Sequence, residues 1–277
     1  YKRQLPYPYN RNYKIICHLW DALQKEKTWL EKGGQDFEEV IGRELRKYKS
    51  CGLLEIRKRQ QRQGLSGAIH EFDLLVRIIP EVTDYCDGEI SGMVIECKTF
   101  STKQLIEKLK GEEVEKIKPP LLRKEKVETF LFKTYDVPLE REAFPGMQLD
   151  KVFLVLVSTL PPSREAFLIS LVYGVTIIFP ALDTFRRLLS HYDIDHEVCR
   201  KFLNKLSHSA VFYPNPYVLL REFHKRKLPK SEIDRLKVFI IHNYRRGSGE
   251  LPERGRSYEY IRRNYKTFLN RLRIELS

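Results

Sequence analysis

The 277-residue sequence has few of the residues that mark specialised classes. Its five cysteines, Cys17, Cys51, Cys86, Cys97 and Cys199, are odd in number, widely spread and include no CxxC pair. That pattern excludes a disulfide framework and implies reduced thiols, hence an intracellular, cytoplasmic setting. No apolar run is long enough to span a bilayer: the most apolar stretch, Ala166 to Pro180, is short and is interrupted by Ser170 and Gly174. No N-terminal signal pattern is visible, so a soluble chain without a membrane partner is expected. Fourteen Gly and fourteen Pro are too few for a collagen-like or low-complexity chain, and 42% hydrophobic residues exclude an intrinsically disordered one. Acidic residues are also in deficit. Fifty Lys and Arg against 37 Asp and Glu leave a formal charge of +13, which points to a polyanionic partner, nucleic acid first.

The length suits one large domain with attachments, or two domains. Residues 1–33 read as an N-terminal arm followed by a helix, with Ile16, Leu19, Trp20 and Leu23 at helical spacing between Ile15 and Leu30. Gly33-Gly34 breaks the chain, and Phe37 to Tyr48 has the periodicity of a second helix, closed by Cys51-Gly52. Three strands are expected: Leu53 to Arg59, His70 to Ile79 after the Gly64-Leu-Ser-Gly67 turn, and Ser91 to Thr99. Asp87-Gly88 is a hairpin signal between the last two, so the three should form an antiparallel meander.

A helix from Lys103 to Lys118 should follow, then a linker at Pro119-Pro120 and a helix from Val127 to Tyr135. Lys151 to Ser158 is nearly continuous in apolar and β-branched residues, the pattern of a strand covered on both faces. A helix capped by Ser163 and a strand from Val175 to Phe179 complete a βαβ unit with parallel strands, and another helix begins near Ala181. Residues 34–190 thus read as an α/β core, a central mixed sheet flanked by helices. Residues 191–277 read as a helical basic region.

The chemistry is concentrated on two strands. Glu96 and Lys98 in Val94-Ile-Glu-Cys-Lys98 are two apart and share one strand face, while Ile95 and Cys97 face the other way. Asp73 on the preceding strand can lie across from Glu96. Adjacent carboxylates repel unless something positive sits with them, and a divalent metal with a nearby lysine meets that need. Two carboxylates and a backbone carbonyl suit Mg²⁺ or Mn²⁺.

Asp73, Glu96-Cys-Lys98 and the upstream helix carrying Gly34-Gln-Asp-Phe-Glu38 together resemble the PD-(D/E)XK phosphodiesterase superfamily, in its Mrr-like restriction endonuclease branch. Ser66-Gly67, His70-Glu-Phe-Asp73, the Leu154 to Ser158 strand and the Glu165-Ala166 helix start also match, covering residues 34–190. Phe72 stands where the family pattern has Pro. The resemblance implies a restriction-endonuclease-like core and an Mg²⁺- or Mn²⁺-dependent endodeoxyribonuclease acting on DNA. Asp73 and Glu96 would be metal ligands, the Cys97 carbonyl would complete the set, and Lys98 would serve the attacking water. Glu38 would bind a second metal or a water, with the adjacent Glu39 an alternative. Lys103 and Gln104, with Thr99, lie where phosphate contacts could form. Cleavage of both strands by one site per chain implies a homodimer or sequential nicking. A Holliday-junction or repair nuclease, or a non-catalytic DNA-binding or assembly protein retaining the fold, are the alternatives.

The C-terminal 53 residues carry +9 of the +13 and two helical patterns, Ser231 to Tyr244 and Tyr258 to Ile274. Arg245, Arg246, Arg262, Arg263 and Lys266 are the candidate DNA contacts there, in a module that could be helix-turn-helix-like. His70 reads as a packing or supporting histidine. His191, His196 and Cys199 match no standard zinc spacing and read as surface helix residues.

Overall fold

The computed structural model describes residues 7–25, 31–47, 53–79, 91–145, 152–173 and 175–212. The expected turns at Cys51-Gly52, Asp87-Gly88 and Tyr213 to Pro216 lie outside the described residues, as does the basic C-terminal region.

The order of elements is α1 (Tyr7–Lys25), α2 (Gly34–Lys47), β1 (Leu53–Gln63), β2 (Ile69–Ile79), β3 (Ser91–Lys98), α3 (Thr102–Gly111), α4 (Lys124–Asp136), α5 (Leu139–Glu142), β4 (Val152–Ser158), α6 (Arg164–Tyr173), β5 (Val175–Ile178), α7 (Leu182–His191) and α8 (His196–Ser209). The strands form one sheet in the order β1-β2-β3-β4-β5. The first three are an antiparallel meander, and β3, β4 and β5 run parallel. The chain is therefore α/β, with a mixed five-stranded sheet and flanking helices.

The patterns in the strands explain their places. Every residue of β5 and the last four of β4 are buried, as continuous apolar runs require when helices cover both faces. The crossover between them is α6, which starts where Ser163 Oγ accepts the Ala166 N–H at 3.2 Å. Val127, Phe130 and Leu131 of α4 and Ala166 and Ile169 of α6 enter the same core as Met93, Val94 and Ile95 of β3.

Three boundaries differ from the sequence reading. The helix read between Ile15 and Leu30 starts earlier: α1 begins at Tyr7, with Pro8 in its first turn, and Ile15, Ile16, Leu19 and Leu23 are fully buried in the central core. The line at residues 190–191 cuts the end of α7. Beyond it, α8 shares a second core with α3 and α7 through Leu105, Leu109, Phe185, Leu189, Phe202 and Leu206. Periodicity shows that a helix has an apolar face but not what covers it. The helix expected over residues 103–118 ends at Gly111, where the Glu112 N–H bonds back to the Lys108 carbonyl at 2.8 Å.

The largest difference is in β1, which continues four residues past Arg59. Gln60, Gln61, Arg62 and Gln63 show no alternation, yet they pair with Phe72, Glu71, His70 and Ile69. Backbone pairing with β2 extends this strand, so side-chain pattern could not reveal it. The turn that closes the hairpin is tied to α4. Asp136, fully buried, accepts the Ser66 N–H at 2.9 Å and the Ser66 hydroxyl, and lies 2.6 Å from His70 Nε2. The Leu65 N–H donates to the Asp136 carbonyl at 2.8 Å. A Cβ on Gly64 would lie 1.9 Å from Asp136 Oδ2, so only glycine fits there. Gly64→Ala should therefore cost about 1–3 kcal/mol of stability, measured by urea unfolding, because either the turn or the buried carboxylate must move.

Candidate active site

The site lies where β2 parts from β3. Their ladder runs from Ile78↔Ser91 to Leu74↔Ile95 and stops. One step further, Asp73 would face Glu96, and the side chain takes over from the backbone: Asp73 Oδ2 accepts the Cys97 N–H at 2.7 Å. On the other side of Asp73 the β1–β2 ladder also lapses, between Lys58↔Leu74 and Gln60↔Phe72. The residue at that gap, Arg59, has φ +47°, a left-handed conformation costly for a non-glycine residue. Asp73 thus sits at a break in both ladders, held by its neighbours' backbone rather than by its own pairing.

Glu96 is almost entirely buried, and both of its oxygens meet ammonium groups. Lys98 Nζ donates to Oε1 at 2.5 Å, and Lys133 Nζ donates to Oε2. Lys133, on α4, is itself buried; it also donates to the Glu71 carbonyl at 2.7 Å and lies 5.2 Å from the centre of the Phe72 ring. The sequence reading missed it. Its signal was a lysine three residues after Phe130, on the apolar face of an amphipathic helix, where a charge needs a partner.

The electrostatics follow from this packing. Burial, then the neighbouring Glu96 charge, push the Asp73 carboxyl up to about 6, against the pull of the Cys97 N–H, Lys133 and Lys98. Burial alone would lower Lys98, but the charge and hydrogen bond of Glu96, with Asp73, outweigh it and hold the ammonium above its usual range. Lys98 is therefore a cation at neutral pH. It can orient an anion or a water but has no free lone pair to act as a base. Burial, followed by the Asp73, Glu38 and Glu96 charges, keeps the Cys97 thiol protonated and so poorly nucleophilic.

Asp73, Glu96, Lys98 and the Cys97 backbone are thus brought together. Glu38 is close enough for its charge to act on Cys97, but its carboxylate accepts from Arg59 Nε at 2.9 Å. Glu39 pairs with Lys58. Lys103 and Gln104 lie apart, exposed on the first turn of α3. Lys103 is 4.0 Å from Glu107 and lines a cleft of about 720 Å³ with Thr99, Phe100, Lys110 and Tyr192. Arg245, Arg246, Arg262, Arg263 and Lys266 lie outside the described residues. His70 and Ser66 both bond directly to Asp136, so the acid lies between serine and imidazole. In a nucleophilic triad the imidazole lies between the other two, and this trio is instead a structural clamp. Cys199 is buried on α8, and Asp195 caps that helix by accepting the Glu197 and Val198 N–H groups.

Among the described residues, no three His, Cys, Asp or Glu side chains gather closely enough to hold a metal ion by themselves. The donor set at the strand break is two carboxylates and a carbonyl. In a strand the N–H and C=O of one residue point to the same neighbour, so the Cys97 carbonyl is aimed toward the side from which Asp73 approaches. A carboxylate has about four lone-pair directions, so one ammonium on each Glu96 oxygen leaves acceptor capacity. The raised Asp73 pKa reflects its burial first and the neighbouring Glu96 charge second. These hard oxygens with acceptor capacity to spare fit a divalent cation. Among the described residues no helix is long and apolar enough to cross a membrane. No family model, curated protein or solved structure matches the chain.

Two outcomes follow from the charges. The folded-state pKa of Asp73 is above its unfolded value, so the native protein binds the extra proton and stability falls as pH rises from about 3.8 to about 6. Asp73→Asn, which keeps an acceptor for the Cys97 N–H, should stabilise the metal-free protein at neutral pH by on the order of 2 kcal/mol. Urea unfolding across pH should show the gain vanish below pH 3.8. Lys133→Met should act the other way, costing about 3–5 kcal/mol by stranding buried Glu96, and should move the Asp73 titration, followed by carboxyl NMR, further upward.

Proposed function

We propose that the chain is a metal-dependent endodeoxyribonuclease with a restriction-endonuclease-like core of the PD-(D/E)XK type, hydrolysing DNA phosphodiester bonds. The observation that carries this reading is the convergence of Asp73, Glu96 and Lys98 where β2 parts from β3, with Asp73 bonded to the Cys97 backbone. The order of residues 34–158, a helix, a three-strand meander, three helices and a strand, supports it.

Mg²⁺ or Mn²⁺ would be held by Asp73, Glu96 and the Cys97 carbonyl, and when bound would polarise a phosphoryl oxygen and acidify a water. The protein's own groups do the rest. Asp73 and Glu96 place two carboxylates at the end of the β2–β3 ladder. Lys98, partly exposed and cationic, reaches past Glu96 to orient the attacking water and balance charge on the phosphate. Lys133 fixes the Glu96 carboxylate from behind. Glu38, held by Arg59, supports the site from α2. Two chains acting as a homodimer, or one chain nicking twice, would cut a duplex. The basic C-terminal residues would add affinity for the DNA backbone.

One observation favours a second reading. Both Glu96 oxygens are already met by lysines, so the site partly balances its own charge, as in a scaffold that binds DNA without cutting it. Metal titration separates the two. The nuclease should bind Mn²⁺ at a site lost in Asp73→Ala, and the scaffold should not.

Incubation with supercoiled, linear, methylated and branched DNA in Mg²⁺, Mn²⁺ or EDTA tests the activity. Asp73→Ala, Glu96→Ala and Lys98→Ala are each expected to reduce cleavage by about a thousandfold or more while DNA binding in EDTA stays within a few-fold of wild type. Undiminished metal-dependent cleavage by all three variants would refute the assignment.

A further inference from the structure

The β1–β2 hairpin reaches beyond the sheet that bears it. Its strands stay paired from Leu53↔Ile79 out to Gln63↔Ile69, whereas β3 leaves β2 after Leu74↔Ile95. The β2 residues Ile69 to Asp73 and their β1 partners therefore form a two-stranded ribbon, about 15 Å long, that springs from the carboxylate pair.

Its composition is unusual for a strand. Arg59-Gln-Gln-Arg-Gln63 holds two cations and three amides, and the paired β2 half carries Glu71 and Asp73. Cations on an edge strand commonly discourage edge-to-edge pairing, and Lys58, Arg59 and Arg62 are engaged with Glu39, Glu38 and the Glu142 carbonyl. That role does not account for the exposed Gln61 and Gln63, or for the tip. Among the described residues the exposed large hydrophobics are Leu65 and Ile69, 37% and 70% accessible, and both lie at the end of this ribbon. Nor is the tip loose. The buried Asp136 carboxylate holds Ser66 and His70, and Gly64 closes against it, so an apolar, water-facing turn is kept in one shape. Such rigidity lowers the entropy cost of binding.

We propose that this ribbon, residues 59–73, is a preformed element that enters a groove of duplex DNA, with Leu65 and Ile69 at its leading end. The inference rests on the endonuclease reading and names the element that engages its substrate. The +13 charge of the chain and the ribbon's origin at the candidate catalytic carboxylates select a nucleic acid. Shape selects B-form DNA, whose major groove admits a two-stranded ribbon, over A-form RNA, whose major groove is too narrow. Arginine and glutamine are the side chains that bond base edges in that groove, and apolar residues contact thymine methyl groups or wedge between bases.

The test uses the full chain and fluorescence anisotropy with a labelled DNA duplex in EDTA, where no cutting interferes. Leu65→Ser with Ile69→Ser, and separately Gln61→Ala with Gln63→Ala, should each weaken duplex binding about tenfold. All four side chains are exposed, so thermal unfolding should not change. The wild type should prefer the DNA duplex to an RNA duplex of the same sequence. Wild-type affinity in both variants would overturn the proposal, as would equal binding of the two duplexes. A change of oligomeric state in the tip variant with DNA affinity intact would overturn it too, and would make the tip a contact between copies. Cleavage by the wild type with unaltered binding in the variants would remove the ribbon's role alone. Weakened binding in the variants with no cleavage by the wild type in Mg²⁺ or Mn²⁺ would remove the nuclease and keep the ribbon.

Discussion

Asp73 and Glu96 lie side by side, largely out of water, at the end of a β-ladder. Two charges of one sign in that setting must be met by cations, by shared protons or by a change of backbone. All three responses are present. Lys98 and Lys133 each take one oxygen of Glu96, the Asp73 carboxyl holds its proton to about pH 6, and β2 turns away from β3 so that Asp73 can accept the Cys97 N–H. Most of the local architecture is a consequence. The divergence creates the open edge, the left-handed Arg59 marks the same break on β1, and α4 is held against the sheet by a buried ion pair as well as by apolar packing.

Helix α4 ties two parts of the molecule that look independent in sequence. Lys133 and Asp136 are three residues apart and both buried; one reaches the carboxylate pair and the other the hairpin turn. A single helix therefore sets the charge of the candidate active site and the shape of the ribbon rising from it. Displacing α4 would disturb both at once, and the buried polar contacts give it one register against the sheet where apolar packing alone would tolerate several.

Much of this was legible in the residues. The continuous apolar run of β4, the alternation around Asp73 and Glu96, the Ser163 cap and the parallel β4–β5 pair follow from local pattern and emerge as read. The proximity of Asp73 to Glu96 was legible too, because strand parity limits which side chains can share a face. What escaped notice has a common cause. The polar half of β1, the burial of α1, the union of α8 with α3 and the arrival of Lys133 all depend on a partner distant in sequence. Glu38 illustrates the limit: its helix was readable, but its carboxylate turns to Arg59, which a strained φ places in reach.

By itself the sequence determined the alternation of elements, the chemical types at the strand break and the excess of positive charge, since these depend on composition and short-range periodicity. Tertiary structure decided which charges compensate one another. It put Lys133 behind Glu96, gave Asp136 to the hairpin and carried β1 past its apolar residues. Ion pairing and strand pairing join residues far apart in the chain, and their strength depends on the burial that only the assembled fold provides.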